Sequence, residues 1–116
     1  MVNRSLGYEA VLELSKCQAY EFGGIKSDWL DVVLACYLKQ LEVGQEKSWV
    51  ANIITKKLHE IKPGHSYFPG LTNLVKYKIL TVTHIPVGIG DKTEPWYHMS
   101  DIIGVCKALQ ELKYLL

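Results

Sequence analysis

Thr72 and Asn73 stand four and three residues before Lys76 in the run Leu71-Thr72-Asn73-Leu74-Val75-Lys76-Tyr77-Lys78, and each carries a group that can meet a nucleic acid. A carboxamide pairs bidentately with adenine, a threonine meets a thymine methyl or a phosphate, and an ammonium reaches guanine or phosphate. Just ahead, Ser66 and Tyr67 offer hydroxyls for phosphate beside the open N–H groups of a helix start. Lys56, Lys57 and Lys62 would add sequence-independent attraction, with Lys78 at the end of the run and Lys92 beyond it extending it. Each residue reads equally as a polar group on the wet side of a structural helix, and Tyr67 with Phe68 as core aromatics.

Other chemistries find less in the chain. His59, His65, His84 and His98 show no HxxxH or HExxH spacing and have no carboxylate cluster beside them, so no metal site is expected. His84 and His98 fall on two segments that read as paired strands, where they could be cross-strand neighbours. GxSxG, P-loop and GxGxxG patterns are absent, and Gly88-Ile89-Gly90 lies in a turn region. The expectation is therefore no catalytic residue, no cofactor and no enzyme. Cys17, Cys36 and Cys106 form no CxxC pair, which suggests thiols used as small apolar residues in a reducing, cytoplasmic setting. No apolar run reaches the roughly 18 residues of a membrane span, and the N-terminus lacks a signal-peptide core, so no membrane partner is expected.

The elements that must position these groups follow from patterning. A chain of 116 residues, 48% hydrophobic and 22% charged, is one globular domain, residues 1–116. Its net charge of +1 is unevenly spread: residues 51–90 hold five lysines against one acid, while the flanking segments are each slightly acidic. That concentration suits a phosphate-facing surface, and it is also what a solvated lysine face looks like.

Ser5 to about Tyr20 reads as a helix with Leu6, Ala10, Leu14 and Cys17 on one stripe, an extra N-terminal element over 5–22 closed by Gly23-Gly24. Ser27 offers a cap, and Asp28 and Asp31 suit the first turn of a helix from Trp29 to Val43 that is apolar almost all round. After Gly44, Ser48 reads as the cap of a helix to Ile61, with Val50, Ile53, Ile54, Leu58 and Ile61 inward. Following the loop Lys62 to Pro69, Leu71, Leu74 and Val75 give a short helix one apolar side and leave Thr72, Asn73, Lys76 and Tyr77 facing out. Leu80 to Ile85 alternates as a strand, Pro86 to Pro95 holds the turn residues, and Trp96 to Met99 returns. Ser100-Asp101 then caps a last helix, 100–116, with more apolar surface than one face needs, able to meet either a twin subunit or the first helix. The whole is mainly α with a small β-hairpin. Helix, helix and hairpin in that order describe a winged helix-turn-helix core over 27–99, flanked by an extra N-terminal and a C-terminal helix.

Phe68-Pro69-Gly70-Leu71-Thr72-Asn73-Leu74 followed by Ile79-Leu80 resembles the "Y-P-A-L-x-x-L…G-L-I" recognition-helix pattern of PadR-like winged-helix transcriptional regulators. Trp96-Tyr97-His98-Met99-Ser100-Asp101 likewise resembles their "YYRLTE" passage from wing to helix. The resemblance implies a homodimeric repressor of double-stranded DNA, with the helix of Pro69 to Lys78 in the major groove and the hairpin of Ile85 to Trp96 near the minor groove or backbone. For such a homodimer, the surplus apolar surface of the last helix puts the expected contact on the C-terminal and N-terminal helices. Two departures stand out: Lys78 occupies the usual glycine position, and the tip Val87 to Glu94 has one lysine, Lys92, against Asp91 and Glu94. An acidic tip repels a minor groove, and it fits the alternative of a winged-helix adaptor that binds protein and no DNA. A small-ligand sensor with a pocket by Trp29, Trp49 or Trp96 is the third reading.

Overall fold

The computed structural model describes residues 6–16, 20–22, 25–27, 29–61 and 71–115. Helix α1 (Leu6–Leu14) forms where Tyr8, Val11 and Leu14 recur on one buried side, with Glu9 and Glu13 exposed. The chain then enters a small hairpin, β1 (Tyr20–Phe22) against β2 (Ile25–Ser27), instead of continuing the helix to residue 22. Phe22 pairs with Ile25, so the sequence Gly23-Gly24 separates the strands, a composition that favours a two-residue hairpin connection over a helix end. Ser27, expected as a helix cap, is the last residue of β2.

Helix α2 (Trp29–Val43) is the centre of the core. Val32, Val33, Ala35 and Cys36 are fully buried, covered on more than one side as their all-round apolar pattern requires. Gly44 ends it in the left-handed conformation, φ 104°, which costs glycine little. Ser48 does not cap the next helix. Trp49 forms a one-residue strand contact with Tyr97, exchanging N–H to O bonds of 2.9 and 2.8 Å, and α3 (Ala51–Ile61) begins two residues later. Ile54 and Leu58 are buried from α3, while Asn52, Lys56, His59 and Glu60 are exposed.

Helix α4 (Leu71–Lys76) buries Leu71 and Leu74. It stops in a Schellman motif: Lys78 N–H donates to Val75 O (2.9 Å) and Ile79 N–H to Leu74 O (2.9 Å). Lys78 carries the left-handed φ of 66° at the position where glycine was expected, so the exit is the usual one made by an unusual residue. Strand β3 (Thr81–Pro86) pairs antiparallel with β4 (Thr93–His98), Thr81 opposite His98 and Pro86 opposite Thr93.

Asp101 caps α5 (Ile102–Glu111), its Oδ1 accepting from Gly104 N–H at 3.1 Å. The helix ends at Glu111 in a second Schellman motif, with Lys113 also at φ 66°, Lys113 N–H on Gln110 O and Tyr114 N–H on Leu109 O. Much of the apolar surface of α5 meets α1, the most extensive helix pairing among the described residues, while Ile103 stays exposed. Both ends of that pairing are pinned. Gly7 N–H donates to Asp101 Oδ2 (2.8 Å), Tyr8 Oη to Glu111, and Lys107 Nζ lies 5.6 Å from the Tyr8 ring centre. The described chain is thus mostly helical, five helices with two two-stranded antiparallel sheets.

Gln40, fully buried, connects the parts. Its Nε2 donates to Gly44 O and Lys47 O, both at 2.7 Å, and its Oε1 accepts from Trp49 Nε1 and Met99 N–H, both at 2.9 Å. Every donor and acceptor site of this amide is used, the condition on which a polar side chain is tolerated in a core.

Candidate nucleic-acid interface

The two buried leucines of α4 fix which way its other residues point. With Leu71 and Leu74 in the core, Thr72 and Lys76 are exposed, and Asn73 and Val75 are half-buried. Tyr77 and Lys78 continue that exposed surface past the helix end. A short helix presenting a threonine, an amide and an ammonium to solvent can approach base edges or phosphates.

The hairpin that follows is aimed by its register. Val82 lies opposite Tyr97 and His84 opposite Pro95, so these four share one side of the sheet. That side, with Thr72 and Val75, lines a cleft of about 230 Å³ between α4 and the hairpin. Thr72 and His84 therefore meet at one cleft, a juxtaposition not anticipated from the sequence, although the alternation of Val82 and His84 carried the signal. His84 and His98 are not strand partners: they face Pro95 and Thr81. His98 serves the structure, with Nδ1 3.2 Å from Ser100 Oγ and Nε2 donating to Gln45 O. Among the described residues no group of His, Cys, Asp and Glu could hold a metal ion.

The lysines are deployed unequally. Lys56 is exposed on α3 and Lys92 at the hairpin tip, next to Asp91 and close to Glu94. Lys57 instead turns to α2. Its Nζ is 2.6 Å from Glu42 and 3.2 Å from Glu60, with Lys39 3.2 Å from the same Glu42. The Glu42 carboxylate raises the Lys57 pKa, and the Lys57 and Lys39 ammonium groups hold Glu42 below its ordinary value. Much of the Lys57 charge is thus answered within the protein. Lys62, Ser66 and Tyr67 lie outside the described residues.

Of the tryptophans, Trp49 is a core residue, 1% exposed and stacked on Tyr97 at 5.8 Å, and Trp96 is half-buried on β4. Neither lines the cleft beside α4. A larger apolar groove of about 510 Å³ runs past the α4 exit, walled by Val75, Ile79, Leu80 and Val82 with Gly7 and Asp101 at its end. Burial pushes the Cys36 thiol pKa far up, which leaves that cysteine a neutral packing residue. No helix among the described residues is long and apolar enough to cross a membrane. Comparison with family models, with curated proteins and with solved structures finds no match to this chain.

Proposed function

We propose that the protein is a winged-helix transcriptional regulator that binds double-stranded DNA, with Thr72, Asn73 and Lys76 meeting the major groove. The carrying observation is the exposure of Thr72 and Lys76 on α4 immediately before the β3–β4 hairpin. The element order supports the same reading. A one-residue strand at Trp49 precedes α3 and α4 and pairs with the second strand of the hairpin, which ties the hairpin to the start of the two helices. In this reading Lys56 and Lys78 contact phosphate, joined by Lys62, Ser66 and Tyr67 from the segment ahead of α4. The Lys57 ion pairs give that residue the weakest claim. PadR-like regulators are the family whose motifs the chain resembles, and two copies on a two-fold operator are the corresponding assembly.

Fluorescence anisotropy with labelled random duplex at low salt tests the proposal. Binding should weaken linearly in log K against log salt, with a slope of about −0.9 per phosphate contacted. Lys56→Glu should weaken all duplexes alike, and Asn73→Ala should relax the preference at one base position. A protein that leaves duplex unbound at low salt would sink the reading. The adaptor alternative is favoured by the acidic tip and by Ile89, which is fully exposed there. It predicts no duplex binding at any salt.

A further inference from the structure

Strand β3 is the outer strand of its sheet: β4 lies between β3 and Trp49. Which of its backbone groups face outward follows from two separate sets of bonds. Val87 N–H donates to Lys92 O, and antiparallel pairs alternate, so the pairs 85/94, 83/96 and 81/98 carry the ladder bonds. Tyr97 has its N–H and C=O committed to Trp49, so Val82 opposite it gets no ladder bond from Tyr97. Both lead to one result. Val82 and His84 direct their N–H and C=O to the open edge, and Pro86, at the next outward position, has no N–H to leave unmet.

Natural edge strands are usually guarded by charge, a bulge or a covering element. This one has no charged residue from Ile79 to Gly90, and Pro86 interrupts it only at its far end. Thr81, Thr83, His84 and Ile85 are all exposed, and Ile85 and Val87 are aliphatic side chains each 39% exposed. Among the described residues no backbone bond to this outer edge is made.

We propose that this edge pairs antiparallel with the same edge of a second copy of the chain, on a two-fold axis at Thr83. Centred there, Val82 of each copy lies opposite His84 of the other. Both are outward-facing, so each pair exchanges its two N–H to O bonds and the dimer gains four. Thr83 meets Thr83, a favourable cross-strand pair, and Ile85 meets Thr81. No like charges are opposed, because the strand has none. The occupant is a second copy because the edge complements itself: about Thr83 the outward N–H and C=O groups of Val82 and His84 find their partners in the same two residues of the other copy, with no charge from Ile79 to Gly90 to oppose the pairing. The result is a continuous four-stranded sheet across two domains. It holds whether or not the protein binds DNA.

Sedimentation equilibrium on the full chain reads the outcome. Wild type should be a dimer, and Thr83→Lys and Thr83→Glu should each be monomers, since each puts like charges together at the axis. An equimolar mixture of the two should return to dimer, because only a pairing of residue 83 with residue 83 makes those charges complementary. His84→Pro should also give a monomer, because it deletes an outward N–H and leaves the β3–β4 ladder intact. Far-UV circular dichroism checks that each variant is folded. A wild type monomeric up to its solubility limit overturns the proposal, and so does a Thr83→Lys variant that stays dimeric.

Discussion

The indole N–H of Trp49 donates to the Oε1 of Gln40 at 2.9 Å, and this bond is buried. Gln40→Leu would strand two buried donors, Trp49 Nε1 and Met99 N–H, and would take one bond from the carbonyls of Gly44, which still accepts from Lys47 N–H, and of the exposed Lys47. At roughly 1–2 kcal/mol for each stranded buried donor, the loss should be about 3 kcal/mol, a large part of a small domain's stability. Trp49→Phe strands none of them and should cost about 1–2 kcal/mol through the lost bond and volume. Urea midpoints for the two variants should keep that order.

Lys78→Gly and Lys113→Gly should each stabilise the protein. Both lysines hold a φ of 66°, which a β-carbon disfavours by roughly 1–2 kcal/mol, partly offset by the extra freedom glycine has when unfolded. The net gain should be about 0.5–1 kcal/mol at each site, read as a higher urea midpoint at unchanged slope.

Gly7→Ala should destabilise, although alanine is the better helix former by about 1 kcal/mol. A β-carbon at Gly7 would sit 2.8 Å from Asp101 Oδ2 and 3.0 Å from its Cβ, and would push away the carboxylate that caps α5. Asp101→Ala removes two bonds to helix N–H groups and should cost about 2 kcal/mol. Thermal melts of the two variants should both fall below wild type.

Alkaline pH should weaken the fold through Tyr37. The neighbouring Cys106 side chain, and then burial, push its pKa up from 10.0 to about 12. The folded state therefore keeps the proton longer than the unfolded chain. This stability is complete below the unfolded value and disappears as pH rises from about 10 to about 12, at about 1.4 kcal/mol per pH unit. Glu42 acts at the other end. Its lowered pKa contributes stability above the ordinary carboxylate value that is lost as pH falls through the folded one. Urea titrations across pH should show both flanks, with Cys106→Ala narrowing the alkaline one.

The parts of the fold legible in the sequence are those with a repeating apolar pattern. Trp29 to Val43 as a buried helix, the two inward leucines of α4, the β3–β4 pairing and the Asp101 cap all follow from spacing. The β1–β2 hairpin does not, because strands of three residues are too short to show a period of two. Trp49 as a strand residue was invisible for the same reason, since a single bridge has no alternation at all. Lys78 in a left-handed conformation contradicts local preference, and tertiary packing of Leu74 and Ile79 overrides it. For the candidate site, the exposure of Thr72 and Lys76 was readable from periodicity. The capture of Lys57 by Glu42, fifteen residues away, was not, because side-chain pairing between two helices depends on how they pack.

The four bonds of Gln40 have a mechanical consequence. They fasten the last turn of α2, the approach to α3 and the exit of the hairpin to one point, so these segments separate together or not at all. The base of the hairpin is thereby a stiff stalk, and its bending is confined to the far end, where Gly88 and Gly90 sit. Amide protons at Trp49, Tyr97 and Met99 should exchange with deuterium only when the whole molecule opens, while those from Gly88 to Asp91, beyond the last ladder bond of Val87, exchange as fast as in a free peptide. Whatever grips that far end would feel a lever rooted in the centre of the protein.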